Sequence, residues 1–354
     1  MSAAIDREIL TPALRSDPYF TGGIFPDAPL APRTTIRIGG TAALLVEPDT
    51  VTALEACVRV LRALEAPFFI LGGGSNIVFP DGPLDRVVVS VSALSAISLE
   101  SAANTAVPYG SMPDKAITNG TAADGAAPGA MVLHCGAGCP TDEAADFCLA
   151  HNLAGLESFT AIPGTIGGAV YMNARCYDHQ ISDVLEWVDH FPGVGGGGGS
   201  PNPLPRPWAP LRLCVGNPSG HSGWSYKKSP FQPSGSCGGD VILGAAFRVR
   251  VGADPERAAW CRADREARGH FRLPSAGSVF KNSRLAGKPS GQLVDQAGLK
   301  GAVSGGAQIA PWHGNIIVNT GGATAADVRA LVALAKEAVR KNTGVTLEEE
   351  IVFV

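Results

Sequence analysis

Residues 42–74 contain a strand–helix–strand pattern that ends in three consecutive glycines. Between two short apolar runs, apolar side chains recur at the spacing of one helical face: Leu54, Cys57, Val58, Leu61 and Leu64. This arrangement predicts a βαβ unit closed by a glycine turn. A further apolar run at 87–91 predicts another strand, so we expect residues 1–100 to form an N-terminal α/β lobe.

The turn itself is typical of a backbone that approaches a ligand closely. It consists of Gly72, Gly73, Gly74, Ser75 and Asn76. A P-loop would continue with Gly-Lys-Ser/Thr, which is absent here, and a Rossmann fingerprint would need glycine or alanine where Ile77 stands. Two interpretations remain from these residues: an anion-binding nest helped by the Ser75 hydroxyl and Asn76 amide, or a purely structural turn.

A second glycine-rich segment, AIPGTIGGAVYMNA at 161–174, favours the nest. Its candidate cofactor-binding residues are Ile162, Pro163, Gly164, Thr165, Gly167, Gly168 and Val170. Two such segments in adjoining lobes can face one pyrophosphate from opposite sides, which a single segment cannot do. The pair therefore predicts a dinucleotide that lies between two lobes.

The rest of the chain divides into two further parts. Residues 101–250 are predicted to form a second, strand-rich lobe with a helix near 141–150 and a flexible glycine- and proline-rich insertion at 192–221. Residues 251–354 form a third domain, which begins with Asp254 as a helix cap and Pro255 at the first helical position. Its last helix has capping-box spacing at Thr324 and Asp327, an apolar stripe, and Gly344 at the exit.

Composition narrows the class of partner. The 28 basic and 32 acidic residues give a net charge of −4, which offers no electrostatic footprint for nucleic acid or an anionic membrane. A small-molecule partner is therefore expected, and we expect the protein to be a monomer. The only close pair among the eight cysteines, Cys135 and Cys139, lacks a second pair or a histidine cluster at ligand spacing, so we expect reduced core thiols and no metal. Because no apolar run has the length of a signal peptide or a membrane span, we predict a cytoplasmic location.

Eight ordered motifs resemble one enzyme family. They are TTIRIGGTAALLVEP, LGGGSNIV, IPGTIGGAVYMNA, YKKS, PSAGSVFKN, GQLVDQAGLKG, GGAQIAPWHGNIIVN and GVTLEEEI. Their order is similar to that in UDP-N-acetylenolpyruvoylglucosamine reductases, the flavoenzymes of peptidoglycan precursor synthesis, and the resemblance covers nearly everything from Pro32 onward except the insertion. It implies an α+β protein with an FAD-binding fold of the vanillyl-alcohol-oxidase type in two α/β lobes, followed by a C-terminal α+β substrate-binding domain. The glycines would then hold the FAD pyrophosphate.

The resemblance also implies a reaction and three catalytic residues. A hydride passes from NADPH to FAD and then to the vinyl carbon of UDP-N-acetylglucosamine enolpyruvate, and the resulting enolate needs stabilisation and one proton. Ser278 matches the family proton donor, although locally it also fits a small residue in a turn. Glu350 matches the family glutamate: if 348–354 is a strand, alternation places Glu348 and Glu350 on one side.

Lys227 stands where many relatives carry arginine. Lysine supplies a point charge where arginine supplies a bidentate fork. Because Lys228 is adjacent, the alignment with the arginine of relatives is less certain between these two lysines. The alternative is two exposed lysines that flank a turn. Two other departures are Arg175, where relatives often have glycine, and Val352, where some carry arginine.

The substrate-binding residues implied by the resemblance are Tyr226, Lys281, Asn282 and His313. A lone histidine such as His313 is also consistent with a purely structural role. Arg268 and Arg272 are both plausible ligands for a diphosphate or carboxylate, and the sequence does not choose between them.

Two rival functions remain open from the sequence. One is another oxidase or dehydrogenase of the same fold, with the flavin tethered through His134, Cys135 or Cys176. The other is a nucleotide-binding protein that kept the fold and lost turnover. The presence of Ser278, Lys227 and Glu350 argues against the second rival.

Overall fold

The computed structural model describes residues 6–101, 130–191, 210–215, 223–235, 237–282 and 287–354. Helices and strands are mixed along the chain, as the α+β prediction requires. Within these residues, no helix combines the length and the apolar character needed to cross a membrane.

The N-terminal part is a four-stranded sheet with two helices. Its elements are α1 (Arg7–Ser16), β1 (Gly22–Pro29), β2 (Thr41–Pro48), α2 (Val51–Ala63), β3 (Phe68–Leu71), β4 (Ile77–Val78) and β5 (Val87–Ser90). The sheet order is β1-β2-β5-β3, in which β5 runs parallel to both β2 and β3. The predicted strand–helix–strand segment is confirmed, because β2, α2 and β3 follow one another directly.

The middle part is an antiparallel sheet. Its elements are β6 (Ile97–Ser101), β7 (Ala130–Gly136), α3 (Thr141–Ala150), β8 (Leu153–Ala154), α4 (Ile166–Tyr171), β9 (Arg175–Cys176), β10 (His179–Gln180), α5 (Ile181–Val184), β11 (Leu185–Phe191), β12 (Leu211–Cys214) and β13 (Val241–Val251). The strands follow the order β12-β11-β13-β7-β6, and β8 pairs with β13. Because β6 begins at Ile97, this sheet extends across the boundary predicted at residue 101.

One segment of the predicted flexible insertion is a regular strand. Most of 192–221 lies outside the described residues, but β12 pairs antiparallel with β11 at the sheet edge. The Arg212 guanidinium lies 4.1 Å from the centre of the Trp187 ring, and its Nε donates to Asp189 over 2.8 Å. The prediction of an unstructured spacer is therefore wrong at 211–214, because these side chains have partners on the neighbouring strand that composition does not reveal.

The C-terminal part is a smaller sheet covered by helices. Its elements are α6 (Pro255–Ala267), β14 (Ser275–Ser278), α7 (Ser290–Gln296), β15 (Val303–Ser304), β16 (Ala307–Ile309), β17 (Ile316–Asn319), α8 (Ala325–Thr343) and β18 (Val352–Phe353). The sheet order is β14-β17-β16-β15. Asp254 caps α6, Thr324 and Asp327 form the capping box of α8, and Gly344 ends α8 at φ +74°, so these predicted helix boundaries are confirmed.

The last strand connects the C-terminal part to the N-terminal part. Strand β18 runs parallel to β4, and the Val352 amide donates to the Asn76 carbonyl over 2.9 Å. The C-terminal core also includes Ile36, Ile38 and Val78 from the N-terminal part. The glycine turn before β4 is therefore held next to the residues that precede β18.

The cysteines only partly match the expectation of core thiols. Six are buried, and desolvation raises the pKa of the Cys57 thiol to about 12. Cys214 is exposed at the end of edge strand β12, and Cys237 is half-buried. The expectation is wrong for these two residues, because cysteine content alone does not show which strand forms a sheet edge.

Candidate active site

A cavity of about 960 Å³ is lined by residues from all three parts of the chain. This volume lies at the upper end for ligand pockets. Its apolar lining includes Phe68, Ile70, Met172, Phe231 and Ile242, which offer surfaces for flat aromatic rings. Its polar lining includes the two glycine segments, Ser278, Lys227 and Glu350, and several arginines, discussed below.

The two glycine segments contact each other directly. A Cβ atom added to Gly73 would lie 2.7 Å from the Cα of Gly164, and one added to Gly72 would lie 2.5 Å from the Thr165 hydroxyl oxygen. A Cβ atom on Gly164 would similarly lie 2.5 Å from the Ser75 hydroxyl oxygen. Since only glycine permits this approach, the segments form one continuous wall of the cavity and do not face each other across it.

All the predicted cofactor-binding residues line this cavity except Val170. Val170 lies on α4, and its side chain is completely buried in the core instead of lining the cavity. The Ser75 hydroxyl has no hydrogen-bond partner among the described residues and so remains available to a ligand. The Asn76 side-chain amide, which was expected to contact an anion, instead donates to the Glu350 carbonyl over 2.9 Å.

Ser278 is the last residue of β14 and lines the cavity. It pairs with Ile316 on β17. The pairing register shifts between Ser275 and Ser278, and such an irregularity changes the direction of the side chains at this end of the strand. Gly277, just before it, has φ +72°, which a residue with a side chain rarely adopts. Within the described part of the chain, the Ser278 hydroxyl donates to no protein group, so its proton is available to a ligand.

Lys227 is held in a tight turn that directs its ammonium group into the cavity. Ser225 and Lys228 exchange backbone hydrogen bonds around the turn, and Lys227 has φ +57°. The Lys227 carbonyl accepts a hydrogen bond from the Gln232 side chain over 3.1 Å. A lysine in the left-handed region is strained unless its surroundings fix it, and such residues are often functional.

The ammonium of Lys227 lies 2.5 Å from Oε1 of Glu350, and the two side chains are only 12% and 13% exposed. Lys228, by contrast, is exposed and does not line the cavity. The structure therefore places Lys227 and not Lys228 beside Glu350.

The three consecutive acids at 348–350 have three different partners. Glu348 pairs with Lys281, Glu349 with Lys336 on α8, and Glu350 with Lys227. Regular strand pairing begins only at Val352, so the prediction of a strand that starts at residue 348 is wrong for residues 348–351. Only Glu350 of the three lines the cavity, because the hydrogen bonds from Asn76 and to Val279 fix its backbone there.

The four predicted substrate-binding residues do not line the cavity. The Tyr226 hydroxyl accepts a hydrogen bond from the Asn282 amide over 3.2 Å, and the Asn282 side chain accepts one from Ser290 over 2.9 Å. Lys281 pairs with Glu348, as described above. His313 accepts a hydrogen bond from the Asn315 amide over 3.1 Å through Nδ1, and burial lowers its pKa. Each of the four side chains therefore has a partner within the protein.

Two basic cavity residues, Arg37 and Arg265, had no signal in the sequence. Five basic residues line the cavity: Arg37, Arg175, Lys227, Arg265 and Arg272. Among the residues that the structure describes, only two acidic ones do so, Asp240 and Glu350, which leaves an excess of positive charge suited to an anionic ligand. Of the two undecided arginines, Arg272 lines the cavity, whereas Arg268 pairs with Asp264 over 2.8 Å.

His270 also lines the cavity but adds no charge at neutral pH. Burial, followed by the nearby Arg265 and His313, lowers the pKa of His270 to about 4. The imidazole is therefore neutral at pH 7.

The groups suggested for a flavin tether lie outside the cavity lining. His134 and Cys135 are buried in β7, and Cys176 is buried against the Arg265 guanidinium, 2.5 Å from its Sγ. The described residues also bring together one set of possible metal donors, His190, Cys237 and Asp240, within 4.8 Å of one another. His190 Nδ1 and Asp240 Oδ2 are 2.7 Å apart, so these two groups are in direct contact.

Comparison with known proteins identifies the family. Residues 42–191 match the model described as FAD binding domain, and residues 269–354 match UDP-N-acetylenolpyruvoylglucosamine reductase, C-terminal domain. The UDP-N-acetylenolpyruvoylglucosamine reductase of Treponema pallidum is 35% identical over 350 residues, covering 92% of both chains. This chain belongs to the UDP-N-acetylenolpyruvoylglucosamine reductase family.

Other members agree with this assignment. The UDP-N-acetylenolpyruvoylglucosamine reductase of Treponema denticola is 35% identical over 333 residues, covering 92% of this chain and 91% of its own. The crystal structure of the reductase from Thermus caldophilus has a TM-score of 0.64 at 27% identity, covering 95% of this chain and 99% of that one. The resemblance to the UDP-N-acetylenolpyruvoylglucosamine reductases, the FAD-binding fold and the peptidoglycan-synthesis flavoprotein class are thus confirmed.

Proposed function

We propose that this protein uses NADPH to reduce the enolpyruvyl ether of UDP-N-acetylglucosamine enolpyruvate to UDP-N-acetylmuramate in the cytoplasm. One observation carries the proposal: Ser278, Lys227 and Glu350 come from three distant stretches of chain and line the same cavity as both glycine segments. Each group corresponds to one requirement of the reaction: a proton, a positive charge, and a carboxylate that orients that charge.

The residues fit FAD. The wall formed by Gly72, Gly73 and Gly164 has no room for side chains and leaves backbone amides and the Ser75 hydroxyl for a diphosphate. The apolar walls suit the flavin and adenine rings, and the basic residues offset the phosphate charge. When bound, FAD would accept a hydride from NADPH and deliver it to the substrate.

The protein residues would complete the reduction at the substrate. As hydride adds to one vinyl carbon, the electron pair of the double bond becomes an enolate conjugated to the carboxylate. The ammonium of Lys227 has three N–H donors, of which Glu350 accepts one, so the others remain for the enolate oxygens. The Ser278 hydroxyl would donate its proton to the carbon next to the carboxylate, and the serine would regain a proton from water.

The proposal is tested by anaerobic absorbance of the purified protein. NADPH should bleach the flavin band, and UDP-N-acetylglucosamine enolpyruvate should restore it. Bleaching without restoration would keep the flavoprotein and reject the substrate. A protein that takes up no FAD would reject the interpretation of the glycine wall.

A substitution in the wall should weaken FAD binding. In Gly73→Ala, the new Cβ would lie 2.7 Å from the Gly164 Cα, so one of the two backbones must shift. We expect the Kd of FAD to rise roughly ten- to hundredfold, since overpacking of this kind costs about 1–3 kcal/mol. Flavin fluorescence during titration of the apoprotein measures this change.

Gly82→Ala is the matched control, because a Cβ there has no heavy atom within 4 Å and Gly82 does not line the cavity. Its FAD affinity should equal that of the unsubstituted protein. An unchanged affinity in Gly73→Ala would contradict the assignment of this wall to FAD.

A further inference from the structure

Arg175 is held rigidly at the cavity by its own hairpin. It pairs with Gln180 across the short β9–β10 ladder, and its Nε donates to the Tyr177 carbonyl over 3.0 Å. Asn173, just before the hairpin, is fully buried and donates through its side chain to the Ser225 carbonyl over 2.8 Å. The hairpin is therefore fixed to the turn that carries Lys227.

The Arg175 guanidinium lies near the turn that carries Lys227. Its Cζ is 5.7 Å from the centre of the Tyr226 ring, and Tyr226 is the neighbour of Lys227 in the chain. Arg175 and Lys227 both line the cavity. The Nε hydrogen bond and the tyrosine ring set the orientation of the guanidinium before any ligand arrives.

The charge of Arg175 has no carboxylate partner within the described part of the chain. The two acidic residues that line the cavity are engaged elsewhere: Glu350 pairs with Lys227, and Asp240 pairs with His190. With Nε occupied by Tyr177, both terminal nitrogens of Arg175 remain as a planar pair of donors. Such a fork matches the geometry of a carboxylate or a phosphate and binds it with two parallel hydrogen bonds.

We propose that Arg175 binds an oxyanion of the substrate and sets the affinity of the site for it. The inference rests on the proposed function, in which the substrate carries two such groups, a diphosphate and a carboxylate. Lys227 supplies a point charge that is partly neutralised by Glu350, whereas Arg175 supplies an orienting fork. The two cations therefore have separate tasks, one at the enolate and one in fixing the substrate.

The test compares Arg175→Gln and Arg175→Lys in the FAD-loaded enzyme. Loss of a charge-assisted pair of hydrogen bonds should raise the KM for substrate roughly ten- to hundredfold in Arg175→Gln. Because the interaction is made equally before and during the reaction, kcat should change by less than about threefold. Arg175→Lys keeps the charge without the fork and should give an intermediate KM.

Two ligands show whether Arg175 binds the diphosphate or the carboxylate of the substrate. Calorimetry with UDP-N-acetylglucosamine reports the diphosphate alone, and UDP-N-acetylglucosamine enolpyruvate reports the diphosphate and carboxylate together. An equal loss of affinity for both ligands in Arg175→Gln assigns Arg175 to the diphosphate. A loss confined to the enolpyruvyl ligand assigns it to the carboxylate.

Arg250→Gln is the matched control, since Arg250 is exposed on β13 and does not line the cavity. A KM within twofold of the original in Arg175→Gln would overturn the inference, as would a loss of FAD affinity with substrate affinity unchanged. If the unsubstituted enzyme itself fails to restore its flavin band with substrate, the proposed function fails and the inference fails with it. If the unsubstituted enzyme cycles normally and Arg175→Gln has the same KM, the inference about Arg175 fails while the proposed function stands.

Discussion

Ser278→Ala should leave reduction of the bound flavin by NADPH unchanged and slow its reoxidation by substrate by roughly a hundredfold or more. The two half-reactions differ because only the second needs a proton at carbon. The Ser278 hydroxyl lines the cavity and is otherwise uncommitted, so its removal breaks no hydrogen bond between described residues. Anaerobic stopped-flow absorbance separates the two rates.

Ser304→Ala provides the control for that experiment. Ser304 belongs to β15 in the same sheet and does not line the cavity, so both of its half-reactions should match those of the unsubstituted enzyme. An equal loss in both half-reactions of Ser278→Ala would remove Ser278 from the role of proton donor.

Lys227→Met should both destabilise the protein and slow flavin reoxidation by about a hundredfold, the scale expected when a transition-state charge loses its partner. The substitution leaves the largely buried Glu350 carboxylate without its cation. Breaking a buried ion pair costs about 3–5 kcal/mol, and the residual exposure of this pair places it at or below the lower end of that range. Urea unfolding measures the stability and stopped-flow absorbance measures the rate.

A double-mutant cycle isolates the pair itself. Lys227→Met combined with Glu350→Gln should be less destabilised than the sum of the single variants by at least about 1 kcal/mol. Arg340 and Glu337 on α8 form a comparison pair, since these side chains are 61% and 63% exposed, and their coupling should stay below about 0.5 kcal/mol. A coupling for Lys227 and Glu350 as small as that of the comparison pair would show that their contact stabilises the protein no more than an exposed ion pair does.

The sequence predicts well whatever is encoded within a single element. The apolar spacing of α2 and the capping residues of α6 and α8 each specify local structure, and the structure agrees. Periodicity and capping are properties of neighbouring residues, so one sequence is sufficient to detect them.

The direction of a side chain in the cavity depends on contacts between distant elements, and there the sequence is a weaker guide. Asn76 stands in a glycine turn and was expected to face a phosphate, yet its amide holds the Glu350 carbonyl. Tyr226 is next to Lys227 in the chain and Lys281 follows Ser278 by three positions, but both side chains contact protein partners. Arg37 and Arg265 reach the cavity from separate elements, and no spacing in the sequence relates them.

The link between β4 and β18 also bears on the order in which activity is lost as the protein unfolds. The Asn76 side chain and the Glu350 carbonyl are 274 positions apart in the chain, so their contact closes a very long loop. The two-residue strand β18 has few ladder hydrogen bonds to resist local opening. If β18 detaches, Glu350 leaves Lys227 while the glycine wall keeps its own contacts between Gly73 and Gly164. Under mild denaturing stress, the protein would therefore stop turning over substrate while it still holds its yellow cofactor.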